Sequence, residues 1–440
     1  MVLALAATAG KDFAFDPTPC RFPAEEFGEG LVLGIADSRA LAVVLACAGA
    51  VLLIALGIRQ SFGLFLWPIC ADRGWGRETV SFAFALQNLT WGLAQPFAGA
   101  LADRYGAAKV LAAGGLAYSA GLVMMALAES PAGFGTGTGL LIGLGQSGAG
   151  FGVVLGVVGK SFPEKNRSLA LGIAGAAGSV GQFAMLPAAQ ALMDALGWAG
   201  ALLAFAAMAM LIVPLGAWAG GAAGARAASD EMGRRESPGA ALTRAAAHPG
   251  FWLLSASIFV CGFQTAFIMN HLPAYLIDRG LKPEDGMTAL ALIGAFNIIG
   301  SYVAGWLGDI YAKRLVLAVI YALRAAGIAA FVLLPMSDWT LWLFAAGMGA
   351  AWLGTIPVSN ALVAQMFGVR HISMLFSMVF LAHQVGSFLG AWLGGAAFDA
   401  TGSYAAVWTT AAALGAIATL VCLPIDERAP PLRAAEGRPW

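Results

Sequence analysis

Apolar stretches of about 20 residues recur along almost the whole chain, separated by short polar breaks, and such a stretch crosses the roughly 30 Å hydrocarbon core of a bilayer as a helix. The pattern predicts twelve spans: Ala40–Pro68, Thr79–Ala102, Ala107–Ala128, Phe134–Lys160, Ser168–Met193, Gly197–Trp218, Phe251–Ile277, Met287–Leu307, Leu315–Leu334, Trp339–Phe367, Ile372–Phe398 and Tyr404–Leu423. An even count places both ends of the chain on one side of the membrane. The one long polar break, RAASDEMGRRESPGAALTR (Arg226–Arg244), divides the spans six and six. The expected organisation is therefore a tail (1–39), a six-helix bundle (40–219), a loop (220–249), a second six-helix bundle (250–424) and a tail (425–440). The fold class this predicts is an all-α membrane protein of twelve transmembrane helices in two pseudo-symmetric bundles.

Composition agrees with the pattern. Hydrophobic residues make up 60% of the 440 and charged residues 11%, where a soluble domain carries about 25% charged residues. Of the 24 Lys and Arg residues, Arg73, Arg77, Arg279 and Lys282 fall on one side of the predicted map, Arg59 and Arg324 lie inside spans, and the rest share the side of the termini. Basic residues stay in the cytoplasm, so both termini are expected there, in a plasma membrane of the bacterial inner-membrane kind. A net charge of zero without a basic tract points to no nucleic-acid partner. The five scattered cysteines suggest neither a disulfide framework nor a metal site, and no cofactor is implied.

The stretch GLGQSGAGFG (Gly143–Gly152) contains G-x-G-x-x-G and G-x-S-G. A dinucleotide loop must leave a buried strand and face water, whereas this one lies inside an apolar span. An intramembrane serine protease would use Ser147 with His271 or His383, a remote alternative that leaves twelve spans unexplained. The stripes Gly148/Gly152/Gly156 and Gly135/Gly139/Gly143 instead suggest helices packed backbone to backbone, with Gln146 facing the pathway.

Two loops repeat one another. GALADRYGAAKVL (Gly99–Leu111) and GWLGDIYAKRLVL (Gly305–Leu317) agree at six of thirteen positions, as expected of a transporter built from two equivalent halves with its substrate held between them. The first loop resembles the signature G-x-x-x-D-R-x-G-x-x of the major facilitator superfamily, through Gly99, Asp103, Arg104 and Gly106. The resemblance implies the major facilitator fold, alternating access, and a conformational latch at these residues and Asp309. A second segment, GKSFPEKNRSLALGIAGAAGSVG (Gly159–Gly181), is similar to the monocarboxylate porter and oxalate/formate antiporter group through Phe162, Lys165, Arg167, Leu169, Ala170, Gly172, Ala174 and Gly178. The chain departs from that group in the eighth span, where Ser301 and Asn297 replace its arginine and aspartate, and at the entry to the first span, which reads IADSRALAVV.

An ionisable side chain at the bilayer centre costs at least about 2.5–3.5 kcal/mol, so each one is a candidate for function. Arg59 in the first span is expected to pair with a substrate carboxylate. Beside it stands Gln60, where the resembling porters have a lysine. His383 aligns with the lysine that the oxalate/formate antiporter uses for its substrate, and as a histidine it also suits a proton carrier. His271, before Pro273, reads as site residue or as gate, and Arg324 as structural. No Asp or Glu lies deep in a span, so a cationic cavity is expected to take an anion. The expected substrate-binding set is Arg59, Gln60, His383, His271, Asn297, Gln146 and Asn270, with His383 and His271 coupling protons. The expected function is secondary transport of a small organic anion, a monocarboxylate, with a proton or counter-anion as partner, by a monomer surrounded by lipid. Efflux of an amphipathic drug or metabolite is the alternative.

Overall fold

In the computed structural model the apolar stretches are helices, and no strand occurs among the described residues, which are 35–162, 164–224, 238–368 and 372–428. The expected tails and central loop fall largely outside these, as do the side chains of Lys165, Arg167 and Leu169. The fold and the candidate site belong to the compact unit that begins at Leu41.

The helices are α1 (Ile35–Gln60), α2 (Phe62–Arg73), α3 (Arg77–Tyr105), α4 (Ala107–Leu127), α5 (Pro131–Gly135), α6 (Gly143–Ala149), α7 (Phe151–Ser161), α8 (Glu164–Met210), α9 (Ile212–Gly224), α10 (Pro238–Ala246), α11 (Pro249–Asp278), α12 (Pro283–Ile310), α13 (Lys313–Leu333), α14 (Asp338–Ala350), α15 (Thr355–Phe367), α16 (Ile372–Thr401) and α17 (Ala405–Cys422). Ten helical runs among the described residues are long and apolar enough to cross a membrane. Two features separate this from the twelve expected spans. Ala170–Gly220 is one continuous run, although Gly197 at φ +71° turns the chain sharply inside α8, a backbone conformation that glycine adopts without steric cost. The 29-residue α3 is long enough to cross, but Gln87, Asn88, Thr90 and Gln95 along it lower its hydropathy.

Four predicted spans are broken midway, the sixth span at Leu211 between α8 and α9. The first is interrupted at Ser61, whose hydroxyl donates to the Ile58 carbonyl at 2.7 Å. The fourth is interrupted at Gly150, which is extended between α6 and α7. The tenth is interrupted between α14 and α15, where the Leu353 N–H donates to Asn297 Oδ1 at 3.0 Å. Freed backbone groups at membrane depth must be satisfied within the protein, and these contacts satisfy some of them.

Helices preceding residue 225 meet those following residue 237 mainly at three crossings, α2 on α11, α3 on α16 and α8 on α12, with a lighter contact of α2 on α12. Glycine sets the spacing, because in lipid the attraction between helices comes from close packing. A methyl group at Gly63 would collide with the Met269 carbonyl, and one at Gly395 with Ser81 Oγ and the Arg77 carbonyl. The α11–α16 pair is as tight: added carbons at Gly262, Gly386 and Gly390 would strike the carbonyls of His383, Phe259 and Phe263. Gly386→Val is therefore expected to cost about 3 kcal/mol or more. Gly156→Ala, with nothing within 4 Å, should leave stability unchanged or raise it by up to about 1 kcal/mol. Melting of the two purified variants checks this, and equal melting temperatures would refute the packing argument.

The glycine stripes of the fourth span are only partly packed. Gly139, Gly143, Gly145, Gly148 and Gly152 lie against Leu86, Thr90, Tyr118, Gly114 and Gln95, whereas Gly135 and Gly156 face open space.

Candidate solute pathway

Arg59 stands in the last turn of α1, where the partial negative charge of a helix C-terminus favours a cation. The break at Ser61 creates that terminus inside the span. The guanidinium donates to Asn88 Oδ1 and to Gln60 Oε1 at 3.3 Å, and lies over the Trp91 ring, 5.0 Å from its centroid. Its Nε has no protein partner. Every group it touches is neutral, and no Asp or Glu is among the buried described residues. Gln146 approaches from one turn below, donating to the Ala55 carbonyl at 2.8 Å, which also accepts from the Tyr118 hydroxyl at 3.0 Å. Gln146 Oε1 is left without a partner.

An aromatic ladder runs from Arg59 across the α3–α16 crossing. Trp91 meets Phe380 edge-on at 5.3 Å, and Phe380 stacks on the His383 ring at 5.7 Å. His383 is 8% exposed. Its Nδ1 contacts Gln384 Oε1 at 3.0 Å and Ser387 Oγ at 3.3 Å, while Nε2 is unpartnered. The structure thus brings Arg59, Gln60, Gln146 and His383 toward one region from both parts of the chain.

The other expected site residues lie elsewhere. Asn297 accepts from the Leu353 N–H and from Ser301 Oγ at 3.1 Å, and so holds the α14–α15 break. Asn270 sits against Gly63 at the α2–α11 crossing. His271 is fully buried. Its Nε2 faces the Ala391 carbonyl at 2.7 Å and so carries the ring proton, and Nδ1 accepts from the Tyr404 hydroxyl at 3.2 Å. The Tyr404 oxygen also accepts from Arg77 Nη1 at 2.9 Å, so the His271 ring belongs to the contacts at the Arg77 end.

Arg77 is the main buried charge at this end of the molecule that sequence reasoning did not single out. It grips Asp278 with two bonds, of 2.6 and 2.7 Å, and its guanidinium carbon lies 3.8 Å from the Phe398 ring centroid. Asp399 accepts from the backbone N–H groups of Arg77 at 3.0 Å and Glu78 at 2.7 Å, capping α3 from α16. Trp392 adds a bond to Glu78 Oε1 at 3.0 Å. The two parts of the chain are thereby tied together at the Arg77 end. The available signal was a pair of opposite charges at the ends of two spans, without anything to say that they meet.

At the opposite end the expected latch is loose. Asp103 pairs with Lys160 at 2.5 Å, both well exposed, and Arg104 lies over the Tyr105 ring. Gly99 and Gly305 have nothing within 4 Å, Gly106 turns at φ +92°, and Asp309 is exposed. The protease arrangement is not assembled either: Ser147 donates to the Leu144 carbonyl at 2.7 Å, and the histidines hold the partners described above. A cleft of about 490 Å³ between α3 and α5, lined by Phe82, Leu86 and Leu140 among others, contains none of the charged span residues.

The Major Facilitator Superfamily matches residues 40–355 and again 289–440, and the chain belongs to this superfamily. It is 27% identical to monocarboxylate transporter 13 of Rattus norvegicus, over 84% of this chain and 86% of that one. It is 29% identical to monocarboxylate transporter 11 of Mus musculus, over 83% and 82%. It is 27% identical to the MFS-type transporter YcxA of Bacillus subtilis, over 79% and 85%. A solved bacterial homologue of the human lysosomal transporter Spinster, inward-facing and unoccupied, has the same fold, with a TM-score of 0.67 at 15% identity, covering 90% of this chain and 99% of that one. The protein is a multi-pass secondary transporter that moves a small solute by alternating access; it is not an enzyme.

Proposed function

We propose that the solute is a small organic anion, a monocarboxylate, carried with a proton or against a second anion. The observation that supports this reading is Arg59: a guanidinium inside a span, held only by neutral Asn88, Gln60 and Trp91, with no acidic neighbour. A desolvated cation without a fixed countercharge is poised for a mobile one. His383 approaches the same region from the other part of the chain, behind Trp91 and Phe380. The names of the rat and mouse relatives point to the same solute class.

In this reading twelve crossings form two six-helix bundles, divided near residues 220–249, that rock about the solute. The basic-residue distribution makes the Arg77 end the outer face and leaves both termini in the cytoplasm. The Arg77–Asp278–Asp399 contacts then close the outer side, while the Asp103 and Asp309 loops close the inner side in the alternate state. Importing a monoanion against 100 mV costs about 2.3 kcal/mol, which a co-transported proton removes.

A thermal-shift series on purified protein with acetate, lactate and chloride tests the reading at about pH 5.5 and about pH 7.5, on either side of the ordinary histidine range. A carboxylate at a hundred times its Kd stabilises by about 2.7 kcal/mol. Absence of a shift with every anion, together with a shift produced by amphipathic cations, would replace this reading with drug efflux.

A further inference from the structure

A second cation lies in the C-terminal part of the chain. Arg324 on α13 is completely buried, and Nη1 donates to the Cys261 sulfur on α11 at 3.2 Å. Its Nε and Nη2 have no protein partner. The ring centroids of Tyr321 and Trp352 each lie 5.9 Å from the guanidinium carbon, and no acidic residue is among the buried described residues. The same sulfur stands 3.3 Å from Thr355 Oγ1, in the first turn of the half-helix α15, and the next residue, Gly262, abuts the His383 backbone on α16. One turn along α15, the Ser359 hydroxyl is buried and unpartnered. A guanidinium, a threonine hydroxyl and a helix N-terminus thus converge on a thiol, and each of these favours negative charge there.

We propose that Cys261, Arg324 and His383 form a proton-linked anion subsite, in which the Cys261 thiolate balances Arg324 while the subsite is empty and takes up a proton when a carboxylate arrives. The arriving carboxylate bonds to the free edge of the guanidinium. The sulfur, no longer needed as countercharge, takes a proton from solvent: a water O–H bond breaks and an S–H bond forms. The hydroxide left behind is neutralised in the bulk as net uptake of one proton, and no electrons are transferred. One anion and one proton then share the subsite without a net change of charge, which is the proton-coupled form of the proposed function. This inference rests on that anion reading. It also supplies a role for the arginine of the ninth span, where the eighth span carries Ser301 and Asn297 in place of a cation. The titratable and charged groups around the sulfur are Arg324 and Tyr321 from α13 and His383 from α16, with Cys422 of α17 beyond Tyr321. Exit of the anion follows loosening of the α11–α16 contact at Gly262, whose backbone abuts His383.

The test is the S–H stretching band in the infrared spectrum of the full chain in nanodiscs, compared with Cys261→Ser. In anion-free buffer near neutral pH the two spectra should match, because Cys261 contributes no S–H. Lactate should add one S–H band to the wild type and none to the variant, with uptake of one proton per site in weakly buffered solution. Arg324→Gln should show the Cys261 S–H without any anion, and Arg324→Lys should again suppress it. An S–H band from Cys261 in the empty wild-type protein overturns the proposal, as does proton uptake on lactate binding without a new S–H band. The empty-state comparison involves no ligand, so it stands apart from the thermal-shift series: a silent thiol with no anion shift sinks the transport reading and the uptake step. A visible thiol with a clear anion shift sinks the subsite alone.

Discussion

Arg59→Gln is expected to abolish carboxylate binding while leaving the empty protein folded. The wild-type guanidinium donates to Asn88 and Gln60 and lies over Trp91, contacts that a glutamine amide partly replaces without charge. What is lost is the only cation in the first span. Removing one partner of a buried, hydrogen-bonded charge pair costs about 2–5 kcal/mol, at least roughly a thirtyfold rise in Kd. Arg59→Lys keeps the charge without the planar fork and should fall between the two. Thermal-shift titration and uptake into vesicles provide the measurements, with the melting temperature of the ligand-free variant as control. Uptake at the wild-type rate by Arg59→Gln would remove the carboxylate from the proposed site.

The second large effect is expected at the Arg77 end. Asp278→Asn leaves Arg77 held by Tyr404 and Phe398 but without its bidentate carboxylate. Breaking such a pair by removing one partner costs about 3–5 kcal/mol when it is buried; Asp278 is 28% exposed, which lowers this to about 2 kcal/mol after solvent screening. The contact exists only while the two parts of the chain are closed at this end, so the loss shifts the population about thirtyfold toward the alternate state. His271 and Tyr404 share the network, and opening this end would also expose the His271 ring to solvent protons. Spin labels at Asp72 and Glu284, both exposed, should report longer distances in Asp278→Asn than in the parent protein. The exchanged pair Arg77→Asp with Asp278→Arg should restore the short distance in part, since Tyr404 and Phe398 remain placed for the original arginine. An unchanged distance distribution in Asp278→Asn would mean that the pair contributes nothing to closure.

The candidate site was legible to different depths at different residues. Arg59 and His383 stood out because an ionisable group in an apolar run is expensive wherever it points. Asn297 stood out for the same kind of reason, but its amide holds the α14–α15 break, a role that depends on a backbone interruption without a distinctive composition. Arg324 read as structural, and in the structure it is completely buried and donates to Cys261. Asp278 and Arg77 lie 201 positions apart, and nothing local marks them as partners.

By itself the sequence determined the solvent, the approximate spans, the repeated loop and the superfamily. These are set by hydropathy over about 20 residues and by short motifs, both of which are local properties. Tertiary structure alone decided the rotation of each helix about its axis, and with it which polar groups meet. A helix that is apolar on all sides carries no face to read. The azimuth is set instead by glycine contacts such as Gly63 on Met269 and Gly386 on Phe259, made between helices distant in sequence. The same contacts decided that His271 joins Tyr404 and Arg77, while His383 reaches the Trp91 ladder.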